Sequence, residues 1–321
     1  MAAKDHLIPL LEQNRDRFLS GQEIAKKLGV TRAAVWKAVR LMERDGYVVE
    51  AVTNRGYRLA PESGVFSAQA VAALLPEGLA DVRVYPSLDS SNNKAKELAA
   101  AGCPHGTAVF AATQTGGRGR YGRAFASPAG GMYLSVVLRV GELPETETLT
   151  AAAAVSVCRA VESVTGREPQ IKWVNDVLLD GKKVCGILSE AVSDLESGGI
   201  EWVVVGVGIN ITPDGLPEEL LPIAAALFPK EPGGLVRTRL AAELLKNILP
   251  RPMSGEAMIA EYKRRLTTLG RDVTVHAPDG AYAAFAEDLD ERCRLTVRLP
   301  DGTRRVLTGG EVSVKLANNN Q

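Results

Sequence analysis

The spacing of apolar positions changes along this chain and marks out its elements. Near the N-terminus Ile24, Ala25 and Leu28 recur at helical spacing. Ser20, with Glu23 three residues on, forms the S-x-x-E pattern that caps a helix start, so a helix over 22–28 is expected, ended by Gly29. Thr31 is an N-cap for a second helix reaching about residue 44, with Gly46 beyond it as terminator. Val35, Val39 and Met42 follow i, i+4, i+7 spacing and face inward, which leaves Arg32, Trp36, Lys37, Arg40 and Arg44 on the other faces. Residues 47–52 alternate as a strand, 53–56 read as a turn, and 57–59 return. Helix, tight turn, helix and basic-tipped hairpin together predict a winged helix-turn-helix. Residues 61–64, Pro-Glu-Ser-Gly, are the natural linker to the next domain.

Beyond the linker the periods alternate. A helix over 94–101, ended by Gly102, is preceded by Asp89-Ser90-Ser91-Asn92-Asn93, whose hydroxyls and amides either cap it or present an array to a polar ligand. Residues 132–138 form an apolar strand, and 172–190 a hairpin of apolar strands turning at Asp180-Gly181. Residues 202–210 read as another strand, ending Gly206-x-Gly208-x-Asn210; it is either a tightly packed central strand or one that lets a ligand approach its backbone. Short strands over 272–276, 281–287, 294–299 and 303–307, with turns at Pro278-Asp279-Gly280 and Pro300-Asp301-Gly302, predict a small barrel. The last residues, 318–321, are polar and expected to fray. The reading is an α+β multidomain chain of 321 residues with domains at 1–62, 63–268 and 269–321.

Composition narrows the class. With 45% hydrophobic but only 5% aromatic residues, the cores are aliphatic. There is no apolar run near the ~20 residues of a membrane span and no leader-like N-terminus, so no membrane partner and a cytoplasmic location are expected. Cys103, Cys158, Cys185 and Cys293 and the histidines His6, His105 and His276 are scattered without metal-ligand spacing, which predicts plain thiols and no site built from protein ligands alone. The net charge is zero, yet residues 1–60 hold eleven Lys/Arg against seven Asp/Glu, leaving the remainder acidic. A basic small unit on an acidic larger one points to a polyanion. Thr31, Arg32, Trp36, Lys37 and Arg40 are then the residues expected to meet DNA in the major groove, with Arg55 of the wing at backbone or minor groove. A solvated basic face is the alternative for that helix taken alone.

Two segments carry candidate chemistry. Gly117-x-Gly119-x-x-Gly122 spells the dinucleotide fingerprint, but a strand comes after it where the fingerprint demands a helix, which excludes that fold. The alternative is a mobile glycine-rich loop whose Arg118, Arg120 and Arg123 can pair with phosphate oxygens. In Lys172-Trp173-Val174-Asn175-Asp176 and Lys182-Lys183, charges lie at the ends of buried strands, where they are costly unless paired or bound. Either Lys172 and Asp176 form an internal ion pair, or the lysines neutralise a nucleotide while Asn175 and Asp176 hold its hydrated magnesium.

The loop GRGRYGRAFASPAGGMYLS, the hairpin KWVNDVLLDGKKVCGILSE and the strand VVVGVGIN together resemble the biotin protein ligases, and the N-terminal winged helix resembles their bifunctional, repressor-type members. Gly309-Gly310-Glu311-Val312-Ser313 resembles the end of that family's SH3-like C-terminal domain. The resemblance implies a class II synthetase-like biotin/lipoate ligase catalytic fold with a central mixed β-sheet. It implies ATP with Mg2+ and biotin as substrates, biotinyl-5′-adenylate as intermediate and corepressor, and a lysine of a biotin carboxyl carrier protein as acceptor. It implies operator DNA and a ligand-promoted homodimer as further partners. By position it assigns Ser90, Ser91, Asn92 and Gln114 to the biotin head group. Gly117, Arg118, Gly119 and Arg120 fall in the loop closing over biotin and adenylate. Lys183 touches carboxylate and phosphate, Gly186 belongs to the biotin site, and Lys172, Asn175, Asp176 and Asn210 take the nucleotide and magnesium. The chain departs from the family at Val174, usually Pro; at Phe125, usually Trp; and at Ser91, usually Thr. A lipoate–protein ligase or octanoyltransferase is opposed by the GRGRYGR loop and the winged helix. A catalytically inactive biotin sensor is opposed by the retained arginines, lysines, Asn175 and Asp176.

Overall fold

The computed structural model describes residues 3–143, 146–193, 199–232, 235–249, 255–277, 280–309 and 311–314. The first unit contains α1 (Ala3–Glu12), α2 (Gly21–Leu28), α3 (Arg32–Arg44), β1 (Val49–Val52) and β2 (Gly56–Leu59). Helix α1 escapes the sequence pattern, because Pro9 lies inside it and no capping residue precedes it. The expected caps form: Ser20 Oγ accepts the Glu23 N–H at 3.1 Å and Thr31 Oγ1 the Ala34 N–H at 3.2 Å. Strand β1 starts two residues later than the alternation began and pairs antiparallel with β2. Leu7, Leu11, Ile24, Val35, Val39 and Met42 fill the core beneath.

Within segment 61–64, whose other residues are exposed, Ser63 is anchored. Ser63 is 1% exposed, its hydroxyl accepts the Val48 N–H at 2.9 Å, and its carbonyl accepts from Arg15 at 2.7 Å. Helix α4 (Ala68–Ala73) contributes Ala70 to the same core.

Next in the chain is a seven-stranded mixed sheet, built from β3 (Val82–Leu88), β4 (Thr107–Gln114), β5 (Gly131–Arg139), β6 (Gln170–Lys172), β7 (Asp176–Leu179), β8 (Lys182–Ser193) and β9 (Ile200–Asn210) in the order β3-β4-β5-β9-β8-β7-β6. Only β3 and β4 are parallel, and α5 (Ser91–Ala100) crosses between them; every other pairing is antiparallel. The glycine-rich loop lies after β4 and leads into antiparallel β5, so no α-helix comes after its glycines, only a 3-10 turn at Arg120–Gly122. Asp180 and Gly181, with φ of 51° and 77°, make the tight β7–β8 turn that their residue types favour. Helices α6 (Leu149–Thr165), α7 (Val236–Ile248) and α8 (Glu256–Arg265) join one face of the sheet in a single core, while α5 packs on the other. Central β5 is buried on both faces except at Arg139, which explains why its side chains are apolar but for Ser135. All four cysteines are buried, and burial pushes the Cys158 thiol up to about 12 and that of Cys185 well up.

The C-terminal unit comprises β10 (Asp272–Ala277), β11 (Gly280–Leu289), β12 (Leu295–Arg298), β13 (Arg304–Leu307) and β14 (Glu311–Val314), antiparallel in the order β13-β12-β11-β10-β14. The barrel expected for this region is not closed among the described strands, since β13 and β14 remain at opposite edges. Of the turn at 278–280, Pro278 and Asp279 lie outside the described residues, as do Gly310 and the terminal 318–321. No helix among the described residues is long and apolar enough to cross a membrane.

Candidate active site

One cleft opens beside the ends of β7, β8 and β9 and under the glycine-rich loop. Its empty space, open solvent at the mouth included, is about 1000 Å3. Ser90, Ser91, Asn92, Gln114, Arg118, Gly119, Arg120, Lys172, Asn175, Asp176, Lys183 and Gly186 all line it. Gly117 and Asn210 do not. Gly117 packs behind the cleft, where any side chain would overlap Ser127 and the Phe125 carbonyl. The Asn210 amide donates to the Ala225 carbonyl at 3.0 Å.

The polar end is built by α5. This helix begins at Ser91 with Ser90 as N-cap, three residues before the expected start, so Ser91 and Asn92 occupy its first turn and are buried. Asn92 Nδ2 donates to Glu190 Oε2 at 2.6 Å, and Lys96 Nζ donates to Glu190 Oε1 at 2.9 Å. The Ser135 hydroxyl lies 2.6 Å from Asn92 Oδ1 and 2.8 Å from Ser91 Oγ. The Ser91 N–H donates to Gln114 Oε1 at 2.7 Å, Gln114 Nε2 to Ser127 Oγ at 2.9 Å, and the Ser127 hydroxyl to the Phe125 carbonyl at 2.9 Å. Gly206 must stay bare, because a Cβ there would overlap the Asn92 amide. Burial pushes the Glu190 carboxyl up, but the hydrogen bonds from Lys96 and Asn92 and the Lys96 and Arg118 charges outweigh it and hold the group below its ordinary value. Sequence reasoning passes over Ser135 and Glu190, although Ser135 is the one polar side chain within the apolar run of its strand and Glu190 the one acidic residue of its own.

The loop doubles back on itself. Arg118 and Ala124 bridge, the Gly119 N–H donates to Arg123 O at 2.8 Å, and the Phe125 N–H to Gly117 O at 2.9 Å. Phe125 thereby lies over Gly186 and Gly208, whose missing side chains leave room for its ring. Lys183 Nζ stands 5.8 Å from that ring centre, a cation–π distance. Phe125, the loop position where the family usually has Trp, thus forms a wall of the cleft.

At the charged end Lys183 Nζ meets Asp176 Oδ1 at 2.6 Å. Lys172 faces Asp176 in the β6–β7 register, but the ion pair is made with Lys183, so of the two alternatives the internal Lys172–Asp176 pair does not form. Among the described residues neither Lys172 nor Arg118 has an ion-pair partner, and both line the cleft, so it presents uncompensated positive charge. Arg120 Nη1 reaches Asn175 Oδ1 at 3.5 Å, and Asn175 Nδ2 donates to the Ile187 carbonyl at 2.8 Å. Behind the segment, Trp173 Nε1 donates to Cys293 O at 3.0 Å and the Tyr262 phenol to Val174 O at 3.0 Å; the Trp173–Val174 peptide is cis. Val312 of β14 completes the lining.

The second candidate surface is the outer face of α3. Thr31, Arg32, Trp36, Lys37 and Arg40 are exposed there, Trp36 at 52%, and Arg55 is exposed at the wing with its guanidinium 4.5 Å over Phe18. The Thr31 hydroxyl is occupied as a cap, and Arg40 pairs with Glu43 at 2.8 Å.

Comparison with known proteins decides the family. Residues 84–210 match the model of the Biotin/lipoate A/B protein ligase family, 268–315 that of the Biotin protein ligase C terminal domain, and 4–58 an HTH domain. The chain is 40% identical over 227 residues, 69% of either chain, to the bifunctional ligase/repressor BirA of Bacillus subtilis. The chain belongs to the biotin protein ligase family. With the BirA of Escherichia coli it shares 27% identity over 98% of this chain and 99% of that one, so the helix-turn-helix, ligase and C-terminal units occur in the arrangement of a bifunctional ligase/repressor. The structure of the Aquifex aeolicus biotin protein ligase in complex with biotin and ATP superposes with a TM-score of 0.61 and 26% identity, covering 73% of this chain and 98% of that one.

Proposed function

We propose that this chain activates biotin with ATP to give biotinyl-5′-adenylate and pyrophosphate, passes biotin to a lysine of a biotin carboxyl carrier protein, and represses biotin genes through its first sixty residues. The observation that carries the catalytic half is the grouping of Arg118, Arg120, Lys172 and Lys183 on one cleft whose other end is the Ser91–Asn92–Gln114 network. The biotin carboxylate and the α-phosphate are both anions. Cations placed where they meet lower the barrier as the carboxylate oxygen bonds to phosphorus and the bond to pyrophosphate breaks. Holding the two reactants in one cleft supplies much of the remaining rate. Water kept out by the loop would otherwise hydrolyse the mixed anhydride. In the second step the acceptor amine attacks the acyl carbon and AMP leaves.

The donor set fits magnesium entering with the nucleotide. Asp176 and Asn175 offer hard oxygens, few enough that phosphates and water must complete the shell, and the ion would neutralise the triphosphate there. Ser90, Ser91, Asn92, Gln114 and Gly186 take biotin. Arg118, Gly119 and Arg120 cover it, Lys183 spans carboxylate and phosphate, and Lys172, Asn175 and Asp176 serve the nucleotide, while Gly117 and Asn210, which do not line the cleft, support it from behind. In this reading 1–62, 63–268 and 269–321 are the DNA-binding, catalytic and SH3-like units. A homodimer promoted by the adenylate would present two winged helices to a two-fold operator.

The test is biotin-dependent exchange of labelled pyrophosphate into ATP without acceptor protein. Exchange with biotin and none with lipoate is the expected result. Binding of biotin without exchange would replace this reading with a sensor, and exchange with lipoate alone would replace it with a lipoate ligase.

A further inference from the structure

The hydrogen bonds at the polar end of the cleft have only one consistent direction. Lys96 has donors alone, so it must meet an acceptor, Glu190 Oε1 at 2.9 Å. The Glu190 carboxylate, held ionised by its partners, also accepts at Oε2, so the Asn92 group 2.6 Å away must be its NH2. That settles the amide flip and leaves Asn92 Oδ1, an acceptor only, facing Ser135 at 2.6 Å. Ser135 is fully buried, at 0% exposure, and has a single proton, which it must give to Asn92. The Ser91 hydroxyl, 2.8 Å from Ser135, is then the donor in that contact. Its proton is spent inward, and what Ser91 Oγ can offer the cleft is a lone pair.

We propose that Glu190, anchored by Lys96, is a positioning residue that sets the hydrogen-bond polarity of this end of the cleft and makes Ser91 an acceptor matched to an N–H donor of the substrate. The inference rests on the biotin reading of the cleft, since a cyclic urea carries such N–H groups and a plain acyl or dithiolane chain carries none. Discrimination then comes from a polar group that the wrong ligand would leave unpaired, the strongest form of selection available to a binding site. The chain runs Ser91 to Ser135 to Asn92 to Glu190, over three separate elements. The second bond system of Ser91, from its N–H to Gln114, is independent of it.

Replacing Glu190 by glutamine is nearly isosteric but reverses the chain. Lys96 would claim the glutamine oxygen, its NH2 would turn to Asn92, the Asn92 amide would flip, and Ser91 would face the cleft as a donor. The experiment measures biotin binding by calorimetry with the full-length wild type, E190Q, K96M and K96M/E190Q, together with biotin methylated on its ureido nitrogens. Expected are a loss of about 10- to 100-fold in biotin affinity for E190Q, the consequence of two donors facing each other in a desolvated site, and recovery of much of it in K96M/E190Q, where glutamine is free to present its oxygen to Asn92. The methylated ligand should lose affinity for the wild type by a similar factor and little for E190Q. Wild-type affinity in E190Q, or a double variant no tighter than E190Q with K96M still binding, overturns the proposal. Should E190Q not fold, equal wild-type affinity for methylated and unmodified biotin overturns it alone. A wild-type chain that does not bind biotin refutes the underlying reading instead, before any variant is compared.

Discussion

Lys183 and Asp176 meet across the β7–β8 pair as an ion pair with Nζ 2.6 Å from Oδ1. Both are partly exposed, the side chains at 35% and 21%, so the pair contributes little to stability, about 0–1 kcal/mol. Its importance is positional, because it holds the ammonium group beside Phe125 on the wall of the cleft.

Lys183→Ala should therefore lower biotin-dependent pyrophosphate exchange by about 10^2–10^3-fold, the usual effect of removing one transition-state donor, with the unfolding midpoint nearly unchanged. Asp176→Asn should act differently, raising KM for ATP more than it lowers kcat. Steady-state exchange kinetics of the two variants separate these effects. Wild-type rates in Lys183→Ala would remove that residue from the reaction.

The parts of this chain that could be read from sequence are those governed by neighbours in sequence. The Ser20 and Thr31 caps, the turn at Asp180-Gly181 and the faces of α3 are set by residues within a few positions of one another. Helix α1 was illegible because its stability comes from burying Leu7 and Leu11 against distant partners rather than from a cap. The onset of α5 was misplaced because Ser91 and Asn92 read as cap residues, whereas the cap is Ser90. Ser135 and Glu190 reach Asn92 from 43 and 98 residues away through sheet register, and no local pattern carries that information. Cleft residues supplied by motifs were legible as a set, yet the direction of the Asp176 ion pair, toward Lys183 and not Lys172, depends on which strand faces it.

Arg265 on α8 is almost wholly buried, its side chain 2% exposed, and is held by Glu261 at 2.9 Å and Glu162 at 2.7 Å, while Arg159 binds Glu261 from α6 at 2.6 Å. Burial pushes the Glu261 carboxyl up, but the two arginines outweigh it and hold the group below its ordinary value. A carboxylate with a lowered folded-state pKa adds stability in full above its unfolded value, and that stability is lost as pH falls through the folded value. Glu261→Gln should accordingly lower unfolding stability by about 1.5–3 kcal/mol at pH 7, the range for a hydrogen bond to a charged group. The difference from wild type should shrink below the ordinary glutamate value near 4.5. Urea unfolding at pH 7 and in the acid range measures both. A difference that stayed constant with pH would refute the electrostatic account.

On the other surface, Lys37 is exposed on α3 and has no ion-pair partner among the described residues. Lys37→Ala should weaken binding to a mixed-sequence DNA duplex and reduce the slope of log affinity against log salt by about 1, the signature of one lost phosphate contact. Fluorescence anisotropy across a salt series gives that slope directly. An unchanged slope would place Lys37 off the DNA backbone.

Tyr262 tests how the nucleotide end is held. Its phenol is fully buried, burial pushes its pKa well up so that it stays a neutral donor, and it donates to the Val174 carbonyl at 3.0 Å. Val174 sits between Trp173, tied to Cys293 through its indole N–H, and Asn175, tied to Ile187 through its amide. Removing the phenol oxygen by Tyr262→Phe leaves the ring packed but frees the Val174 carbonyl, a loss of about 1 kcal/mol in a typical intramolecular hydrogen bond. If that bond serves only stability, the unfolding midpoint falls and both Michaelis constants stay as they were. If it also aligns the 172–176 segment, KM for ATP rises several-fold while KM for biotin, whose proposed head-group contacts come from α5 and β4, hardly moves. The second pattern is expected, because Lys172, Asn175 and Asp176 leave this one short segment for the cleft, and a misplacement of about 1 Å is enough to impair such a site.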